Sequence, residues 1–128
     1  MSYYFSKIVD DSFNGAIERV TARLADAGFG VLTTIDVSTT LKKKLDVDFQ
    51  RYVILGACNP GYAHKALLAE DKIGTMLPCN VIVQETSDGK VEVAAIDPMA
   101  SMMAVQNDTL GGIATEVQAK LKNVIEGL

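Results

Sequence analysis

The sequence predicts one α+β domain: an antiparallel sheet with helices packed mainly on one face. Three observations predict it. Short β-branched, apolar runs alternate with stretches whose apolar residues recur at helical spacing. Asp, Ser or Asn stands where each helical stretch begins, as capping requires. Two strand-like runs are joined by Ser87-Asp88-Gly89, a hairpin signal that favours antiparallel pairing.

The elements follow in order. Residues 3–9 read as a first strand. Asp11 or Ser12 caps a helix carrying Phe13, Ile17, Val20 and Leu24 on one side and Glu18, Arg19, Arg23 and Asp26 largely on the other. Gly28 stops it, because only glycine accepts the left-handed conformation without a side-chain clash. Residues 29–35 form a second strand. Asp36 or Ser38 then caps a short helix expected to turn Leu41 and Leu45 inward and Lys42, Lys43 and Lys44 outward. Residues 52–58 are nearly all apolar and read as a covered strand. Asn59-Pro60 starts the next helix sharply, since Pro at the first helical position lacks only a hydrogen that would be unpaired anyway. That helix is expected to run to about residue 70, with a connector over 72–78. Residues 79–86 and 90–96 are the hairpin strands. Asp97-Pro98 repeats the cap-plus-proline start for a short helix through Met99, Met102 and Met103. Asn107 or Asp108 caps a last helix striped by Leu110, Ile113, Val117, Leu121 and Val124, and Gly127 closes it. A sheet covered on one side leaves a face to explain, and homodimerisation is the expected use.

Composition bounds the function. The 128 residues are 48% hydrophobic and 22% charged, which excludes a disordered or low-complexity chain. One core is within reach and two are not, so residues 1–128 read as a single domain. No apolar run approaches the roughly 18 residues of a spanning helix. The first seven residues hold no basic stretch leading into an apolar core, so a cytoplasmic location is expected. Sixteen acidic residues against twelve basic ones give a net charge of -4, which argues against nucleic acid as a partner. The lysine run 42–44 reads as a solvated helix face, with a phosphate or acidic-partner contact as the other reading. Two cysteines are too few for a disulfide scaffold.

Chemistry concentrates in Gly56-Ala57-Cys58-Asn59-Pro60-Gly61-Tyr62-Ala63-His64. It puts a cysteine at a strand end, beside a capped helix start, about one turn from the only histidine. Free amide hydrogens and the positive dipole end at a helix start can lower a thiol pKa. The second cysteine, in Leu77-Pro78-Cys79-Asn80, opens another strand. Ile54, Gly56 and Cys58 share one face of their strand, and Cys79, Val81 and Val83 one face of theirs. If those faces coincide, both sulfurs line one pocket. Two Cys and one His match the ligand set of a metal site with an open position, although neither cysteine belongs to a C-x-x-C pair. Against this stands the plainer reading of two buried cysteines acting as small hydrophobes and His64 as a partly exposed helix residue. No phosphate-binding glycine loop and no nucleophile-elbow motif is present. Gly28-Phe29-Gly30 is explained by turn geometry and Asp97 by capping. Met99, Met102 and Met103 read as a core or dimer contact before an adaptable binding surface.

Several blocks in this order resemble the domain of unknown function 302 family. They are Gly28-Phe29-Gly30-Val31-Leu32-Thr33, Ile35-Asp36-Val37, Leu55-Gly56-Ala57-Cys58-Asn59-Pro60, Ala63-His64, Ile73-Gly74, Leu77-Pro78-Cys79-Asn80-Val81 and Ala95-Ile96-Asp97-Pro98. The resemblance runs from about residue 3 to residue 121. It implies a TATA-binding-protein-like topology, an antiparallel sheet backed by helices and a homodimer, but not DNA binding. It supplies no catalytic residues and names no cofactor.

Three functional expectations result. The first is a cytoplasmic, homodimeric domain binding a small ligand or metal, with Cys58, His64 and Cys79 in direct contact and Asn59 and Asn80 supporting them. The second is a thiol-dependent enzyme with Cys58 as nucleophile and His64 as base. The third is a structural or interaction module, so whether the chain is an enzyme is left open by its sequence.

Overall fold

A computed structural model describes residues 2–128. Strand β1 (Tyr4–Val9) leads into helix α1 (Phe13–Asp26), β2 (Gly30–Asp36), α2 (Val37–Leu45), β3 (Tyr52–Cys58) and α3 (Pro60–Ala69). A 3₁₀ turn (Asp71–Met76) precedes β4 (Cys79–Glu85), β5 (Val91–Ile96), the short α4 (Pro98–Ser101) and α5 (Asp108–Glu126). The five strands make one sheet in the order β1-β5-β4-β3-β2, antiparallel throughout. The α+β class and the antiparallel sheet with helices are as the sequence predicts. The connector expected over 72–78 folds largely as the 3₁₀ turn.

The caps explain the boundaries. Ser12 Oγ accepts from Gly15 N at 3.0 Å and starts α1. Gly28, at φ +90, ends it in the left-handed region. Asn59 Oδ1 accepts from Gly61 N and Tyr62 N and starts α3. Asp97 and Asn107 do the same for α4 and α5. Gly89, at φ +80, turns the β4–β5 hairpin.

Alternation decides which face is covered. Leu55, Val81, Val83, Val93 and Ala95 point at α1 and α5 and are almost fully buried with Leu24, Phe29, Leu121 and Ile125. Each such Leu, Ile or Phe contributes about 2–3 kcal/mol by leaving water. Lys7 Nζ reaches the carbonyl of Glu126 at 3.0 Å and that of Leu128, tying β1 to the end of α5. A smaller cluster of Ala66, Ile73 and Leu110 packs α3, the 3₁₀ turn and α5 against each other. Among the described residues no polar or charged side chain is fully buried, and no helix is long and apolar enough to cross a membrane.

One element departs from expectation. Helix α2 buries none of its residues: Leu41 is half-buried and Leu45 is exposed rather than turned inward. Its hydrogen bonds are local, with Asp36 capping it and Lys42 pairing with Asp46 and Asp48. Its placement at the sheet edge leaves too little surface above it to cover a second apolar position.

Candidate functional site

Both cysteines border one cavity of about 340 Å³. It lies at the seam of the two apolar clusters. Phe29, Ala57 and Val117 form one wall, and Ala66, Met102 and Ile113 another. Among the described residues no charged side chain lines it, and its wall is almost wholly apolar apart from the two cysteines.

Local sequence explains the opening. Gly56 sits where β3 meets both β2 and the start of β4. A Cβ there would collide with Thr33 Oγ1 and lie 2.8 Å from Pro78 Cγ. Glycine therefore lets Pro78 close against β3, which delivers Cys79 to the cavity. The Leu77-Pro78 peptide is cis.

The register corrects the strand-face argument. Cys79 pairs with Ala57 and Asn80 with Gly56. Cys79 therefore shares the helix-covered face with Ala57, while Cys58 belongs by alternation to the other face. Both still border the cavity because Cys58 is the last residue of β3, where the sheet ends and α3 begins. Both thiols are free and partly buried. Burial pushes the Cys79 thiol up to about 11, and the adjacent Cys58 adds to the rise. Cys79 is thus a neutral thiol at physiological pH. Desolvation and the nearby Glu116 carboxylate also raise the pKa of Tyr62, which keeps its phenol protonated.

The remaining expected site residues do not join the sulfurs. His64 is exposed on α3 and lies outside the cavity wall. A helix turns by about 100° per residue, so Ala63, Ala66 and Leu67 face the cavity and the position between them faces out. Cys58, His64 and Cys79 are not gathered as a ligand set. Among the described residues no three His, Cys, Asp or Glu side chains are placed to hold a metal ion. Asn59 is occupied as the α3 cap, and Asn80 is exposed on the uncovered sheet face. Asp97 caps α4 and accepts from Gln118 Nε2 at 3.0 Å, so it is a tie between α4 and α5.

Sequence reasoning missed the cavity's apolar walls, above all Phe29, Tyr62, Ala66, Met102 and Ile113. Their one signal was the small residues Ala57, Ala63, Ala66 and Ala114 in apolar stretches, which leave room where larger side chains would close it.

The model of the family described as "Domain of unknown function DUF302" matches residues 5–128. A similar solved structure is the "Crystal structure of uncharacterized conserved protein DUF302 from Bacillus stearothermophilus", 28% identical, with 98% of each chain covered and a TM-score of 0.91. None of the curated proteins compared with the chain matched it.

Proposed function

The chain belongs to the DUF302 family, and from that premise we propose that it is a binding domain for a small, uncharged, largely apolar ligand held between Cys58 and Cys79. One observation carries the reading: an apolar cavity of about 340 Å³ with both thiols at its edge and no charged group in its wall. That volume lies in the range of small-molecule sites. A charged ligand would lose its hydration there with nothing to replace it. The enzyme reading is less well supported. His64, the expected base for Cys58, stands outside the cavity wall, and a nucleophilic thiol needs an adjacent base or a lowered pKa.

Neutral aromatic probes such as indole test the proposal. Probe at about tenfold over its Kd stabilises the fold by about 1.4 kcal/mol. For a chain of this length that raises Tm by about 5 °C. It also slows alkylation of both cysteines. Ala114→Phe, projecting from α5 into the cavity, abolishes both effects. Absence of a Tm rise and of thiol protection across a series of neutral probes of graded size overturns the proposal.

Self-association forms part of the same proposal. The end of β2, the end of α2 and the segment that follows expose Ile35, Leu45, Val47 and Phe49. Exposed apolar residues beside an open strand edge fit a second copy of this chain. Sedimentation of the wild type against Ile35→Lys, near the end of β2 and outside the thiol cavity, tests it. A monomeric wild type removes the dimer.

A further inference from the structure

The sheet face away from the helices carries a second, chemically different concavity of about 390 Å³. Three of the four tyrosines of the chain line it: Tyr3, Tyr4 and Tyr52. The rings of Tyr3 and Tyr4 meet edge to face, with centroids 5.1 Å apart at 73°. Tyr52 is backed by Phe49 at 6.3 Å. The start of β1 is fixed by the Asp97 N–H donating to the Tyr3 carbonyl at 2.8 Å.

The floor of this concavity carries one polar row beside the apolar Ile82, Ala94 and Ile96. Tyr52 pairs with Gln84, and Gln84 with Glu92, so these three stand in one row on one face. Gln84 Nε2 donates to Glu92 Oε1 at 2.8 Å, and Gln84 Oε1 accepts from Gln50 Nε2 at 2.7 Å. Gln84 is thereby oriented, and Glu92 keeps its second oxygen for another donor. Glu92 is half-buried, and among the described residues it has no ion-pair partner. Among the described residues no lysine or arginine lines the concavity. The nearby basic side chains are committed elsewhere: Lys7 to the end of α5, and Arg51 to Asn14, Glu85 and the Phe13 ring.

A carboxylate without a counter-charge, beside three electron-rich rings, is the arrangement that recognises an organic cation. We infer that this concavity is a site for a small alkylammonium ion, caged by Tyr3, Tyr4 and Tyr52 and neutralised by Glu92. The net charge of -4 favours the same sign of ligand. The site stands on the opposite face of the sheet from the thiol cavity and shares no lining residue with it, so the two readings stand or fall separately.

Choline and its neutral isostere 3,3-dimethylbutan-1-ol separate charge from shape. Titration calorimetry on the full chain is expected to show choline binding about tenfold or more tightly than the isostere. Glu92→Gln keeps the contact with Gln84 and is expected to erase that preference. Tyr52→Leu is expected to weaken choline about tenfold while leaving Tm nearly unchanged. Co-sedimentation with phosphatidylcholine vesicles supports a lipid headgroup as the source of the cation, and choline binding without it supports a free ion. Equal binding of choline and the isostere overturns the inference. So does undetectable choline binding by the folded wild type, or a dimer that Tyr52→Leu dissociates, which would make this face an interface between copies.

Discussion

Cys79 offers the most direct test of the chemistry in the thiol cavity. Desolvation, then the neighbouring Cys58, lifts its pKa from the ordinary 9.0 to about 11. Below pH 9, a displacement of that size leaves its thiolate about a hundredfold scarcer than that of a free thiol. Cys58→Ser leaves Cys79 as the only cysteine, removing the smaller cause and keeping the larger. Alkylation of that variant by iodoacetamide, followed by mass spectrometry from roughly pH 7 to 11, reads the thiolate fraction. The folded rate is expected to climb past pH 9 without a plateau, while the urea-unfolded control levels off near the ordinary value. Restricted access slows every rate equally, so the position of the plateau, not the rate, reports the pKa. A plateau in the folded protein at or below pH 9 refutes the argument and restores a reactive thiol. Stability carries the same sign. Below about pH 9 both folded and unfolded thiols hold their protons, and the contribution of Cys79 is complete. Above it the unfolded thiol ionises while the folded one does not. Stability then falls by at most about 1.4 kcal/mol per pH unit until the folded pKa is passed.

Two further substitutions test how the site is built. Gly56→Ala forces a Cβ against Thr33 and Pro78, and overpacking of this kind costs about 1–3 kcal/mol; calorimetry should show Tm lowered by roughly 4–11 °C, and Thr33→Ala should recover only part of it because the Pro78 contact persists. A Gly56→Ala protein as stable as wild type would show that Pro78 does not press on β3. Asn59→Ala removes the acceptor for the Gly61 and Tyr62 amides and is expected to cost about 1 kcal/mol by urea denaturation, with no loss beyond about 2.

The fold was legible because its signals are local. Ser12, Asn59, Asp97 and Asn107 cap the helices where the sequence places them, and Gly28 takes the left-handed stop. Helix α2 forms where expected, but the one-turn spacing of Leu41 and Leu45 says nothing about whether a surface exists to receive them. The site was half legible. Cys58 and Cys79 were found from their places at strand ends, and they do border one cavity. Register was not available from sequence, and pairing Cys79 with Ala57 rather than with a residue of the Cys58 parity is a one-residue matter that reverses the face. His64 failed for a comparable reason: one turn along a helix brings a residue near in height but not in azimuth. The tyrosine concavity was invisible because Tyr3, Tyr52 and Glu92 are far apart in the chain and meet only through the strand order β1-β5-β4-β3.

The thiol cavity itself is an argument for function. Its walls hold Ala57, Ala63, Ala66, Gly74 and Ala114, drawn from β3, α3, the 3₁₀ turn and α5. Each methylene added to fill such a space is worth about 0.8 kcal/mol, so larger side chains at two or three of these positions would join the two apolar clusters and stabilise the fold. The main core shows that this chain packs tightly where nothing prevents it: Val20, Leu24, Val81, Val83, Val93 and Leu121 are fully buried. Space left where both cysteines stand, at the meeting of four elements, is space whose filling carries a cost other than stability. A ligand that occupies it provides that cost. Ala66→Leu separates the alternatives. If the cavity is unused packing space, the variant is more stable than wild type and responds to indole as wild type does. If the cavity is a ligand site, the variant loses the indole-induced rise in Tm whatever its own stability.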